Sequence, residues 1–515
     1  MKKIHILFAT LLTVAGLASC DMEKYPYNAV EESLYMTTVN DFVQARVGLY
    51  SNFRALTTGT YVLLPDIQCD DFQAVAGFSN TYGNHQRWDF QTTDGNIESV
   101  WSSYYSTIAR CNYFLDGYGK VTAGEVLTDI TDAEMTEIST YAAEAYFVRA
   151  YCYYMLSTYF CQAYDPNTAD SQQGLPLQLT YAPTSDASAY PGRSSLKATY
   201  DQIVSDLNNA SDLWTGNVDK WSIYYVSPYS IQALQARVAL NMKNYSTAIS
   251  ASTSLINAST QAGFGLVSDA EMYAGIWNAD NGAETIWQIF MKAPSELGSA
   301  TGATFWGGYL SATPEEQTMD YIPSQSLVDL YDQENDIRFA AFFTPFHLTT
   351  TTGTSGDIFV FNKYPGNPGL GNLTVDQHYT NMSKPLRTAE QYLIAAEAYL
   401  ESGDEANATS YLNQLRSARI VGYENQTFSS AALRTAIRDE RHKELVGEGY
   451  RLNDLKRWGL GFDRNGAEQD ANVLQPGASF TGLNVDASNY RFTWPIPKAE
   501  MDMNPQLNGQ QNPGY

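Results

Sequence analysis

A mainly α-helical fold of paired helices, interrupted by a loop-rich block with a few short strands, is the architecture that this sequence predicts. Three observations carry it. Apolar residues recur every three or four positions at Ile97, Val100, Trp101, Tyr104, Ile108, Cys111 and Leu115, the spacing of one helix face. Two stretches repeat the layout of a helical hairpin, with Ala236, a turn at Asn244-Tyr245 and Ala248 in one, and Ala396, a turn at Gly403-Asp404 and Ala408 in the other. The alanines are 12 residues apart in each, an interval of small residues that lets helices pair closely, as in tetratricopeptide repeats. Finally, helical periodicity fades between residues 259 and 385.

In chain order, Lys2 and Lys3 precede an apolar run of 14 residues from Ile4 to Leu17. A spanning helix needs about 20, so residues 1–19 read as a signal peptide. The run ends in Leu17-Ala18-Ser19-Cys20, which resembles the lipobox of bacterial lipoproteins and implies lipidation of Cys20. Each buried methylene contributes about 0.8 kcal/mol, so two or three acyl chains suffice as an anchor. Residues 20–515 read as one domain, with its helical scaffold over 39–258 and 386–460. Thr131 and Glu134 form a capping box for a helix carrying Met135, Ile138, Ala142, Ala145, Cys152, Leu156 and Tyr159. Ser194 heads another, with Tyr200, Ile203, Leu207, Ala210 and Leu213 on one face; Ser227-Pro228 starts a third that ends near Asn244. In the block 259–385, Ala293 to Leu310 and Thr349 to Gly356 read as loops, and Ile286 to Met291 and Ile358 to Phe361 as short strands. Residues 461–515 form an irregular tail.

The formal net charge of −25 argues against nucleic acid, since phosphate contacts need clustered Lys and Arg. A hydrophobic content of 44% is ample for a core that needs no disulfides. Cys69, Cys111, Cys152 and Cys161 form no C-x-x-C pair and have no His at metal spacing. Cys152 and Cys161 face opposite sides of a predicted helix and read as buried small hydrophobes, while a pairing of Cys69 with Cys111 stays open. Tyrosine, at 37, outnumbers Lys and Arg together, at 31. A ring with a hydrogen-bonding tip suits sugar recognition and helix packing alike. No H-E-x-x-H, G-x-S-x-G or P-loop pattern is present. These common catalytic signatures are thus missing, while the two facing carboxylates of a glycosidase would leave no such pattern and stay open.

The C-terminal third carries the most specific pattern. Arg387-Thr388-Ala389-Glu390 through Tyr399 leads into Tyr411-Leu412-Asn413-Gln414-Leu415-Arg416, then Glu440-Arg441-His442-Lys443-Glu444-Leu445, Gly447-Glu448-Gly449-Tyr450-Arg451 and Asp454-Leu455-Lys456-Arg457-Trp458. Trp494-Pro495-Ile496-Pro497, Asn504-Pro505 and Gln511-Asn512-Pro513-Gly514-Tyr515 close the chain. In this order, and together with the lipobox, Asn112 and the paired helices, these segments resemble the SusD/RagB outer-membrane nutrient-binding lipoproteins over essentially the whole chain. The resemblance implies a SusD-like fold and a lipid anchor in the outer membrane facing the cell surface. It also implies a binding protein rather than an enzyme, with no cofactor and no essential metal, which captures oligo- or polysaccharide and delivers it to a SusC-like TonB-dependent outer-membrane transporter. The alternative is a helical-repeat adaptor of the transporter complex without its own sugar site. In the charged cluster Glu440, Arg441, Glu444, Glu448, Arg451, Asp454 and Arg457 recur at intervals of three or four, which predicts a salt-bridge network pinning the last helices.

Sugar contacts are expected from exposed aromatic residues in loops. Phe78, Tyr82, Asn84, Arg87 and Trp88 lie between Gly77 and Gly95; ring faces can cover a sugar ring while Asn and Arg bond its hydroxyls. Asp70 and Asp71, just upstream, are further acceptors. Phe305, Trp306 and Tyr309 stand among Gly298, Gly302, Gly307 and Gly308, where glycines oppose burial in regular structure. The resemblance implies stacking on Trp88, Trp306 and Tyr309 above all.

Overall fold

The structure, a computed structural model, describes residues 36–214, 222–292, 319–370, 380–466 and 468–515; the predicted signal peptide and Cys20 lie outside them. Helix α1, Val39–Ala55, opens on a capping box of Thr38 and Asp41. Asp94 caps α2, Gly95–Thr122; the capping box of Thr131 and Glu134 that the sequence predicts opens α3, Asp132–Phe160. From Tyr141 to Phe160 every residue of α3 but Tyr146 is buried. A helix apolar on all sides must be enclosed, and α3 packs against α1, α2 and α4, Leu196–Leu213. The cap of α4 is Ser195, one residue later than predicted, its hydroxyl accepting from the Ala198 amide.

The two hairpin copies are neighbours in space. Ser227 caps α5, Pro228–Asn241, which stops short of Asn244 because Lys243 takes a left-handed conformation (φ 59°) and Asn244 caps α6, Tyr245–Ala262. The second hairpin is α7, Thr388–Glu401, and α8, Glu405–Arg419, joined through Gly403 at φ 85° and the cap Asp404. Helix α7 packs on α6 across more than a hundred intervening residues. Ala236, Ala248, Ile394 and Ala398 fill the joint, and Ala396 and Ala408 meet Leu433 of α9, Ser430–Leu445, beyond it. The loop-rich block is thus an excursion from a continuous helical stack. No helix among the described residues is long and apolar enough to cross a membrane.

The excursion is held by short antiparallel ribbons. Phe72–Ala74 pairs with Tyr321–Pro323, and Thr285–Trp287 with Leu386–Arg387. The strand predicted at Ile358 to Phe361 is longer, Ser355–Phe361. Its partner, Phe343–Thr349, was hidden by the loop reading of residues 349–356, which the hairpin reduces to a tight turn with Gly353 at φ 84°. The strand predicted over Ile286 to Met291 is confined to Thr285–Trp287. Cys69, Cys111, Cys152 and Cys161 are all free and buried.

The charged C-terminal motif does pin the last helices. Arg441 pairs with Asp454 at 2.7 Å, and Arg457 with Asp454 at 2.8 Å and with Glu397. Three buried guanidiniums then converge on Glu444: Arg338 at 3.0 Å, Arg387 at 2.9 Å and Arg419 at 2.9 Å. Arg338 also holds Glu440 and Asp336, and Arg419 holds Glu284. Burial alone would raise the pKa of Glu444, but the three arginines override it and hold the carboxyl well below its ordinary range.

Candidate ligand-binding platform

The loop of residues 77–89 leaves the Phe72–Ala74 strand and is folded under strain. Asn80, Tyr82 and Trp88 have φ of 64°, 58° and 57°, in the left-handed region that side chains with a Cβ rarely adopt. Such residues cost on the order of 1 kcal/mol or more each and persist only where their surroundings enforce them. The enforcement here is visible. The Ser79 amide and hydroxyl donate to the Asp320 carboxylate, the Tyr321 hydroxyl donates to the Thr81 carbonyl, and the Thr351 hydroxyl donates to the Gly77 carbonyl. Arg87 spans the loop, donating to Asn80 Oδ1 at 2.8 Å, Asn84 Oδ1 at 2.9 Å and Asp89 Oδ2 at 3.1 Å.

On the outer side this builds a small aromatic platform. Phe78 meets Phe480 and Tyr321 edge to face, at 5.6 and 5.8 Å between ring centroids, and the Arg87 guanidinium lies 5.6 Å from the Phe480 ring. The Tyr82 hydroxyl shares a 2.9 Å hydrogen bond with Thr60. Phe78, Tyr82, Arg87 and Phe480 are half-buried, while Asn80 and Asn84 are exposed. Half-buried rings bordered by amides and hydroxyls offer an apolar patch with polar partners at its rim, the composition suited to a polyhydroxylated ring.

Three predicted contacts are turned elsewhere. Trp88 is only 5% exposed: its indole packs against Phe462 and Phe492 and its N–H donates to the Gln68 carbonyl, so no ring face is offered outward. Asp70 gives both carboxylate oxygens to Arg451, at 2.9 and 2.7 Å. Burial opposes the Asp70 charge, yet Arg451 outweighs it and lowers the pKa. Asp71 is fully buried and bonded to His442. Asp70, Asp71 and His442 bring three potential ligand atoms within 4.8 Å of one another, but Arg451 already supplies the cation of that cluster. Phe305, Trp306 and Tyr309 lie outside the described residues.

Phe480 was missed, although Gly477 and Gly482 flank it in the way that singled out the Phe305 segment. Sequence reasoning also passes over an aromatic pair with one exposed ring. Phe290, 41% exposed, meets Tyr224 edge to face at 5.1 Å, beside Tyr225 at 46% exposure. Nothing in the local sequence distinguishes these from core aromatics.

Comparison with known proteins fits this architecture. Residues 350–515 match a model described as the SusD family, and residues 39–240 match one described as starch-binding associating with outer membrane. Two SusD-like proteins of Formosa agariphila are 26% and 23% identical over the full length of both chains. The crystal structure of a SusD superfamily protein from Bacteroides thetaiotaomicron superposes with a TM-score of 0.76 at 26% identity, covering 92% of this chain and all of that one. A surface glycan-binding protein from Bacteroides fluxus gives 0.67 at 20% identity, over 93% of this chain and all of the other.

Proposed function

The chain belongs to the SusD/RagB family, and from that membership we propose that it is a non-catalytic, lipid-anchored protein of the outer membrane that captures glycan at the cell surface. The captured oligosaccharide passes to a partner TonB-dependent transporter. The observation that carries the reading is the strained loop, which holds Phe78 against Phe480 and leaves Tyr82 half-buried on the same loop, with Asn80, Asn84 and Arg87 alongside. Three of the eight non-glycine residues with positive φ among the described residues fall in this one loop, and backbone strain held by its surroundings preorganises a binding element. Its agreement with relatives named for glycan and starch binding supports the ligand class. Acylation of Cys20 supplies the anchor.

The test is calorimetric titration with a panel of oligosaccharides. At least one is expected to bind, and Tyr82→Ala or Phe480→Ala to weaken it by about 1–3 kcal/mol, a hot-spot loss. Unchanged affinity in both variants sinks the platform. A groove of about 560 Å³ between α4, α5 and α6, lined by Val204, Asn208, Gln235 and Met242 among others, favours a second reading as an adaptor that binds protein alone. Co-purification with a transporter combined with silence toward every glycan supports that reading instead.

A further inference from the structure

The charges on the segments that build the platform are one-sided. The two segments that build it, residues 77–89 and 462–486, carry Asp89, Asp463, Glu468, Asp470 and Asp486, and Asp320 stands beneath Ser79. Against these are two guanidiniums. Arg464 is buried behind the platform and donates to the carbonyls of Cys69, Gln68, Ile67 and Gln86. Arg87 is the only described Arg or Lys on these segments that reaches the surface, and each of its three nitrogens is already engaged, with Asp89, Asn80 and Asn84. Among the described residues of these segments, an acidic group on a ligand therefore meets a single cation that reaches the surface, and that one is already paired with Asp89. A ligand anion drawn to Arg87 competes with the carboxylate of Asp89 for that charge and finds only the second N–H of each terminal nitrogen, because the first is bound to Asn80 or Asn84.

From this geometry, and resting on the glycan reading above, we infer that the platform selects uncharged glycans and excludes those bearing uronate or sulfate groups. Recognition proceeds through ring faces, carboxamides and hydroxyls, whose strength does not depend on salt. Repulsion of an anionic chain does depend on it, because charges exposed to solvent are screened beyond about 8 Å at physiological ionic strength.

The experiment titrates the full chain with neutral oligomers of glucose, mannose, galactose and xylose, and with oligogalacturonate and chondroitin-sulfate oligomers of matched length, at low and high salt. The best neutral oligomer is expected to keep its Kd within twofold across salt. The acidic oligomers should bind at least tenfold more weakly at low salt, with the gap narrowing as salt rises. Asp89→Asn, which leaves the Arg87 charge uncompensated, should narrow the low-salt gap at least threefold. An acidic oligomer that binds as tightly as the best neutral one, and weakens with salt, overturns the selectivity while leaving glycan binding intact. A gap unmoved by Asp89→Asn overturns the assignment to Arg87. If no oligomer of either class binds, the glycan reading and this inference fall together.

Discussion

Trp88 and Tyr82 stand six residues apart in one loop, both in left-handed backbone, and the structure gives them opposite roles. The indole of Trp88 is enclosed by Phe462 and Phe492, whereas Tyr82 stays half-buried at the surface. Removing a buried aromatic ring leaves a cavity, at a cost of about 3–5 kcal/mol. Trp88→Ala is therefore expected to lower the urea midpoint of the whole protein, while Phe480→Ala changes it far less. A Trp88→Ala protein that unfolds like wild type yet loses a bound sugar contradicts this and restores Trp88 as a contact. The sequence made the loop legible through Gly77 and Gly95 but not the direction of each ring. That direction depends on φ at single residues and on partners hundreds of positions away, such as Phe480 for Phe78 and Phe462 for Trp88.

At the scale of elements, local signals were read well and distant ones poorly. Caps at Thr131 and Ser227, the turn at Gly403-Asp404 and the paired alanines are short-range features, and the helices they predict are present. The ribbon partner at Phe343–Thr349 and the guanidiniums Arg338 and Arg419 were not foreseen, because each acquires its role from a segment remote in sequence. Glu444 shows what that remoteness accomplishes: it lies on α9 and joins the helix at Ile337–Phe342, the start of α7 and the end of α8. Replacing a buried ion pair wholesale by apolar residues is often tolerated, but deleting one partner strands the others and costs about 3–5 kcal/mol. Glu444→Gln should thus destabilise strongly and raise hydrogen exchange in α8, α9 and Ile337–Phe342 together. Loss confined to α9 would show that the carboxylate does not couple these elements.

For the molecule as a whole, the same network sets the response to acid. Burial opposes ionisation of Glu397, Glu440, Glu444, Glu448 and Asp454, but the neighbouring guanidinium and ammonium groups prevail and all five pKa values are lowered. A carboxyl depressed in the folded state binds fewer protons than in the unfolded chain, so its stabilisation is complete above the unfolded pKa of about 4 and is lost as pH falls below it. Asp66, Glu144, Asp206 and Glu284 act in the opposite sense, since burial raises their pKa values and their protonation on acidification favours the fold. The net charge of −25 adds to that second trend, because self-repulsion falls as carboxylates neutralise. Between pH 7 and about 5 the raised group and the falling repulsion govern, so the urea midpoint should hold steady or rise slightly. Below about pH 4 the depressed, arginine-bound carboxyls must take protons to unfold the network, and the midpoint should drop steeply. Urea titrations at pH 7, 5.5, 4 and 3, repeated on Glu444→Gln, check both limbs: the variant has one fewer of these carboxyls to protonate and should show a shallower decline below pH 4. A parallel decline in the two proteins would place the acid sensitivity outside the buried network.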